Sequence, residues 1–197
     1  MKALVLASGS AIRAQMLRDA GVAFEVDAAR VDEEEAKLSL RTAGASPRDQ
    51  ADALAELKAL SVSRRRNEYV LGADQMLAIE GETLDKPKDR AEARAHLLRM
   101  RGRTHQLMCA AVVAVQGAAV WRIVQTPTLR MRSFSDAFVE DYLDRVGDAA
   151  LASVGAYQLE GLGAQLFERV DGDYFSVLGL PLLPLLAFLR EHGIVST

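Results

Sequence analysis

The sequence predicts an α/β fold built on a mixed, twisted sheet with flanking helices. Two patterns carry this expectation. Short apolar runs alternate with helical apolar stripes, many of which open on a capping residue or stop at a glycine. Near the middle, Thr104 to Val115 and Val120 to Met131 read as two long antiparallel strands around Gln116-Gly117, so the sheet cannot be all parallel.

The elements follow in order. Ala3 to Ala7 is a buried strand that ends in Ser8-Gly9-Ser10. A helix runs from Ala11 to Ala20, with Ile12, Met16 and Leu17 on one face and Gly21 as its stop. Val22 to Val26 is a strand. Asp32 to Glu35 is an acidic knot, followed by a weakly patterned stretch to Ala45. Ser46, Pro47 and Asp49 form a strong helix start. That helix continues to Arg65 on a stripe of Ala53, Leu54, Leu57 and Leu60. Tyr69 to Ala73 is a buried strand with Asp74 at its end, and Met76 to Ile79 continues as strand into a Glu80-Gly81-Glu82 turn. Asp85-Lys86-Pro87 is an extended loop, because the residue before proline avoids the helix. Asp89 caps a helix to Met100, ended by Gly102, and Ser135 caps another to Val146. Gly155 to Gly163 is a glycine-rich loop. Leu166 to Val170 and Tyr174 to Val177 read as a hairpin around Asp171-Gly172, and Pro181 opens a last helix to His192. No repeat, low-complexity segment or linker interrupts this pattern, so residues 1–197 are expected to form one domain.

Composition narrows the function. Half the residues are hydrophobic, 26% are charged and the net charge is −3, as in an ordinary soluble protein. The densest basic run, Arg64-Arg65-Arg66, falls at a helix end, where it complements the dipole. With no basic stripe, nucleic acid is not an expected partner. Cys109 is alone, which excludes an intrachain disulfide and a cysteine zinc site, and its apolar surroundings make it a small buried hydrophobe. The opening apolar run is too short for a signal peptide. The longest apolar stretch, Val177 to Leu189, contains Gly179, Pro181 and Pro184 and is too short to span a bilayer. The expectation is a cytoplasmic protein with no membrane partner.

Three groups of residues could carry chemistry. A strand that ends in Ser8-Gly9-Ser10 and feeds a helix start, with Arg13 in the first turn, makes an anion site from free N–H groups and the helix dipole. The alternative is that Ser10 only caps the helix. Asp74 lies where α/β sheets open onto ligands, and Glu33 could lie beside it. Together they could share a divalent cation such as Mg²⁺ with a phosphate, and one could accept a proton from water. The alternatives are a solvated acidic loop and a turn-forming aspartate. Lys58 and Lys86 are two of only five lysines, and compact ammonium groups suit the oxygens of a triphosphate and a leaving pyrophosphate. Taken singly, either could be a solvated lysine. His96, His105 and His192 lack metal-ligand spacing, and His96 and His192 read as surface residues. No Ser–His–Asp order, Walker motif or GxGxxG is present. Hydrolysis by a metal-bound water is the chemistry this inventory best supports.

These residues resemble a family. Leu6 to Arg13, Val31-Asp-Glu33, Leu57-Lys-Ala59, Leu71 to Gln75, Asp85-Lys-Pro87, Gly102 to His105, Gly155-Ala-Tyr157, Glu160 to Gly163 and Gly179-Leu-Pro181 fall in the order seen in Maf proteins, which are nucleoside triphosphate pyrophosphatases. The resemblance covers nearly the whole chain. It implies two lobes around a cleft, similar to inosine triphosphate pyrophosphatases, a Mg or Mn cofactor, and cleavage of a nucleotide between its α and β phosphates. It implies Asp74 as proton acceptor, Glu33 as metal or water partner, and Ser8, Ser10, Arg13, Lys58 and Lys86 as phosphate binders, with Glu33 and Asp74 the metal ligands. A homodimer is also suggested. The chain departs from the family at Ala11 and Ile12, where a proline and an arginine are frequent, and at Asp85, where glycine is frequent.

Base specificity in the family divides at positions that are here Ile12, Gln75 and Glu160. Members acting on dTTP and UTP tend to show Arg, Thr and Gln; members acting on 7-methyl-GTP tend to show Trp, Gln and Glu. This chain matches the second group at Gln75 and Glu160. A carboxylate can accept from the N1–H and exocyclic amine of guanine and favours the charge added at N7. Ile12 cannot stack on that cation as tryptophan would. The expectation is a 7-methyl-GTP pyrophosphatase. The alternatives are a dTTP/UTP pyrophosphatase and a non-catalytic nucleotide-binding regulator of cell division.

Overall fold

A computed structural model of the chain describes residues 3–196. The strands are β1 (Leu4–Leu6), β2 (Phe24–Val26), β3 (Tyr69–Ile79), β4 (Glu82–Leu84), β5 (Thr104–Val115), β6 (Ala118–Gln125), β7 (Thr128–Met131) and β8 (Phe167–Asp171). The helices are α1 (Ala11–Asp19), α2 (Glu33–Thr42), α3 (Pro47–Ser63), α4 (Arg90–Met100), α5 (Asp136–Val146), α6 (Tyr174–Leu178) and α7 (Leu182–Glu191). The mixed α/β character expected from the sequence is present. Strand pairing is parallel at β1 and antiparallel along β5. Among the described residues no helix is long and apolar enough to cross a membrane.

The chain divides into two units. The first holds residues 3–75, 109–125 and 174–196. Here β1 lies between β2 and β3, parallel to both, with Leu4 opposite Phe24 and Tyr69. A strand paired on both sides and covered on both faces has no polar alternation, which is why Leu4, Val5 and Leu6 read as one apolar run. The core gathers Leu4, Leu6, Leu17, Leu71, Val113, Leu180, Leu185 and Leu189, each a side chain worth about 1.5–3 kcal/mol when fully buried. The end of β5 pairs with β6 through a turn at Gln116 and Gly117, both at positive φ.

Three expectations in this unit need correction. The stretch after the acidic knot is helix α2, capped by the Asp32 carboxylate on the Glu35 N–H at 3.0 Å. None of its residues is buried, so it carries no apolar stripe to read. The buried face of α3 is Ala51, Leu54, Ala55, Ala59 and Val62, whereas Leu57 is 39% exposed and Ala53 and Leu60 are half-buried. Gly72 of β3 explains the shift: a Cβ there would lie 2.1 Å from the Ala55 carbonyl oxygen, so only a small-residue face fits so close to the strand. Asp74 does not end a strand. β3 runs unbroken for 11 residues, because the polar side chains of Asp74 and Gln75 find partners.

The second unit holds residues 76–108 and 126–173. The end of β3 forms a hairpin with β4 around Glu80 and Gly81, both at positive φ. The start of β5 pairs with β7, and β7 with β8. The expected strand from Val120 to Met131 is therefore two strands, broken at Thr126-Pro127, where proline offers no N–H to a ladder. The expected second hairpin strand, Tyr174 to Val177, is helix α6 of the first unit. Its carbonyls there accept side-chain hydrogen bonds, and this tertiary demand overrides the β propensity of Tyr, Phe and Val. Part of the glycine-rich loop forms 3₁₀ turns at Val154–Ala156 and Leu162–Leu166.

The histidines also differ from expectation. His96 and His192 are half-buried, not on the open surface. His192 stacks on Phe188 with ring centroids 4.0 Å apart, and burial lowers the pKa of His96. Arg65 and Arg66 spend their charge on Asp27 and Glu25, each at 2.5 Å.

Candidate active site

Three consecutive residues of β3, Ala73, Asp74 and Gln75, collect most of the candidate groups, all within the first unit. Upstream, the Ser10 hydroxyl accepts from the Arg13 N–H at 3.5 Å and so caps α1, as the simpler reading of that residue requires. Ser8 is buried, and its Oγ accepts from the Ser10 N–H at 3.3 Å and from Arg13 Nη1 at 3.1 Å. Its own hydroxyl proton remains to be donated.

The Arg13 guanidinium is fixed on three sides. Nε donates to the Gly179 carbonyl at 2.7 Å, and Nη1 donates to Ala73 O at 3.0 Å as well as to Ser8. Of its five N–H groups this leaves the Nη2 pair, a two-donor fork suited to phosphate oxygens. Gly179, at φ 109°, brings its carbonyl to Arg13; a Cβ there would lie 3.6 Å from the guanidinium. Gly179 lies in a sequence motif but carries no functional group to mark it. The glycine ahead of Leu180-Pro181 was the signal for this close approach.

Lys58 projects from α3 onto Asp74. Its ammonium lies 2.7 Å from Asp74 Oδ1 and 2.9 Å from Glu33 Oε2, with 8% of the lysine side chain exposed and 10% of the aspartate. Two carboxylates on one ammonium leave an excess negative charge in a partly desolvated place. The Glu33 side chain is 44% exposed. Asp74 Oδ2 has no hydrogen-bond partner among the described residues.

Gln75 uses both hydrogens of its amide on the carbonyls of Ser176 and Val177, at 2.9 and 3.1 Å. Two acceptors settle the amide orientation, so Oε1 is the atom left to present, and it is an acceptor. Sequence reading missed this anchoring by α6 because it is made by backbone oxygens. Ile12 is half-buried and packs against the apolar core. Lys86 and Glu160 lie in the second unit. Lys86 is exposed beside the buried Pro87, and Glu160 is exposed in the loop before Leu162–Leu166.

The donor set bears on a metal. Among the described residues no group of three His, Cys, Asp or Glu is placed to hold one. Glu33 and Asp74 are two hard oxygen donors within reach of one ammonium. That fits Mg²⁺, which takes one or two carboxylates and completes its shell with water and substrate phosphates.

The family model described as Maf-like protein matches residues 3–192. The chain is 53% identical over 190 residues to a protein of Paramagnetospirillum magneticum (96% of this chain, 98% of that one) and 51% identical over 193 residues to one of Caulobacter vibrioides (98% and 97%). It is 52% identical over 197 residues to a protein of Maricaulis maris, covering all of both. Each of the three carries the name nucleoside triphosphate pyrophosphatase. Among solved structures the chain is similar, at TM-score 0.44 and 15% identity over 97% of its length and 93% of the other, to a nucleoside-triphosphatase / dITP/XTP pyrophosphatase of Mycobacterium abscessus.

Proposed function

The chain belongs to the Maf-like family, and on that premise we propose that it is a nucleoside triphosphate pyrophosphatase, a hydrolase of acid anhydrides, acting at Asp74. The observation that carries the reading is the cluster at Ala73 and Asp74: a buried ammonium shared by Asp74 and Glu33, and a guanidinium anchored on Ala73 O with two N–H groups left.

In this reading the Arg13 Nη2 fork and the Ser8 hydroxyl hold phosphate oxygens. The family's Asp-Lys-Pro motif makes Lys86 a further phosphate binder. Asp74 Oδ2 accepts a proton as a water oxygen bonds to the α phosphorus, and the bond from that phosphorus to the bridging oxygen breaks. The products are a nucleoside monophosphate and pyrophosphate. Lys58 moves its charge from the carboxylates toward the pyrophosphate as negative charge builds there. A divalent cation held by Glu33 and Asp74 would supply polarisation of the anhydride and neutralise the excess carboxylate charge. Gln75 and Glu160 match the residues that family members acting on 7-methyl-GTP tend to carry, and a carboxylate accepts from the donor edge of guanine, which supports 7-methyl-GTP as the substrate. A cytoplasmic homodimer belongs to the same reading.

The test is product analysis with a substrate panel. With Mg²⁺ or Mn²⁺, wild type should release pyrophosphate and monophosphate and turn over 7-methyl-GTP faster than UTP or dTTP. Asp74→Asn, which keeps the shape and loses the basicity, should cost ~10²–10⁴ in kcat. Turnover within a few-fold of wild type would remove Asp74 from the mechanism. Orthophosphate with a diphosphate product would place the cleavage at the wrong bond. No turnover of any triphosphate would leave the regulator reading in its place.

A further inference from the structure

We propose that Tyr142, Tyr157 and His105 are positioning residues that set Glu160 for base discrimination, by holding the loop between Ser153 and Gly163 in one conformation. This rests on the reading of Glu160 as a base-contacting residue.

The loop has little regular structure, yet it is tied at Ser153, Ala156, Tyr157 and Gly161. Gly155 and Ala156 both have positive φ, at 78° and 61°. A non-glycine residue stays in that region only where its surroundings over-determine it. Here the Tyr142 hydroxyl, from α5, donates to the Ala156 carbonyl at 3.1 Å. One residue on, the Ser153 hydroxyl donates to the Tyr157 carbonyl at 2.6 Å. The Tyr157 side chain turns inward, its hydroxyl 2.9 Å from His105 Nε2 and its ring 4.8 Å edge-on from Phe167. His105 is 1% exposed, with Nδ1 lacking any partner. Such a site is expensive to build as packing alone, since phenylalanine in both places would leave nothing unsatisfied.

After Tyr157 the chain folds back within a few residues. The Gly161 N–H bonds the Gln158 carbonyl at 3.2 Å, and a Cβ on Gly163 would lie 2.4 Å from that same oxygen. Glu160 is exposed within this turn, and its charge is felt at Tyr142, whose pKa is pushed up to about 12 by burial first and by Glu160 second. Tyr142 therefore fixes the start of the loop and lies electrically close to its tip. A carboxylate that must meet a donor edge gains from such a rigid mount, because misplacement by about 1 Å can cost ~10²-fold.

Tyr142→Phe and Tyr157→Phe each remove one hydroxyl and keep the ring. The measurement is kcat/KM for 7-methyl-GTP and for UTP, with melting temperature alongside and Glu160→Gln as the control. Each tyrosine variant should lower the ratio of the two substrates about tenfold while kcat on UTP stays within about twofold. Should one variant fail to fold, the other carries the test. An equal loss on both substrates would mark these groups as structural only and overturn the proposal. An unchanged ratio in the tyrosine variants, with a shifted one in Glu160→Gln, would overturn it as well. An unchanged ratio in Glu160→Gln would instead remove the base-reading role of Glu160, and the positioning role with it.

Discussion

At Lys58 one ammonium answers two carboxylates, and the cost of losing it falls on stability as much as on chemistry. Lys58→Ala would leave Asp74 buried without its partner, at about 3–5 kcal/mol, whereas exposed Lys86→Ala should leave unfolding within about 0.5 kcal/mol of wild type. Urea melts of both variants check this before any rate is interpreted. His105 makes a second prediction at this scale. Burial holds its pKa down to about 4 against 6.5 in an unfolded chain. The unfolded state therefore takes up a proton that the folded state refuses between those values. Stability is full above pH 6.5 and falls as the pH drops to about 4, by roughly 3 kcal/mol. His105→Asn should flatten that part of the profile, measured as unfolding free energy at pH 7 and pH 5. The sequence exposed Asp74, Glu33 and Lys58 as residue types in suggestive places. It could not expose their pairing, which depends on how closely α3 approaches β3.

Among the described helices, α2 is the least anchored. It has no buried residue and carries Glu33 in its first turn, where the contact with Lys58 ties it to the site. Its amides should exchange with solvent faster than those of α3, and Glu33→Gln should speed them further while leaving α3 unchanged. Hydrogen exchange read by mass spectrometry would show this, and equal protection of the two helices would refute it. The caps at Ser10, Ser46, Asp89 and Ser135 were legible in the sequence because a cap is a local contract between a side chain and the N–H three residues on. Helix α2 and helix α6 were not. One lacks an apolar stripe, and the other takes its shape from distant partners at Gln75 and Gln125. The break between β6 and β7 is signalled only by Pro127, in an otherwise strand-like run.

Across the whole molecule, the candidate site is held in place by the chain's own ion pairs and hydrogen bonds, at Lys58, Asp74, Glu33 and Arg13, without a cation. Removing divalent metal with EDTA should therefore abolish turnover and leave the melting temperature within about 1–2 °C, a shift smaller than a 1 kcal/mol loss would produce in a domain of this size. A large drop in melting temperature would mean that a metal is structural here. The candidate site in the first unit was legible as a set of motifs. The placement of Lys86 and Glu160 in the second unit was not, because nothing in a linear pattern says that β3 and β5 each begin in one unit and end in the other.

Gly72 offers a genetic consequence. It is two residues from Asp74 and lacks any functional group, yet a single methyl there would meet Ala55 O at 2.1 Å and Ala59 N at 2.6 Å. Gly72→Ala would drive α3 outward and lift Lys58 off Asp74, so a screen for inactive alleles should return it beside the polar residues. Two of the three obstructing atoms are backbone. Trimming Ala55 or Ala59 to glycine would not remove them, and neither change should reappear as an intragenic suppressor. Recovery of either one would mean that the helix has slack the structure does not suggest.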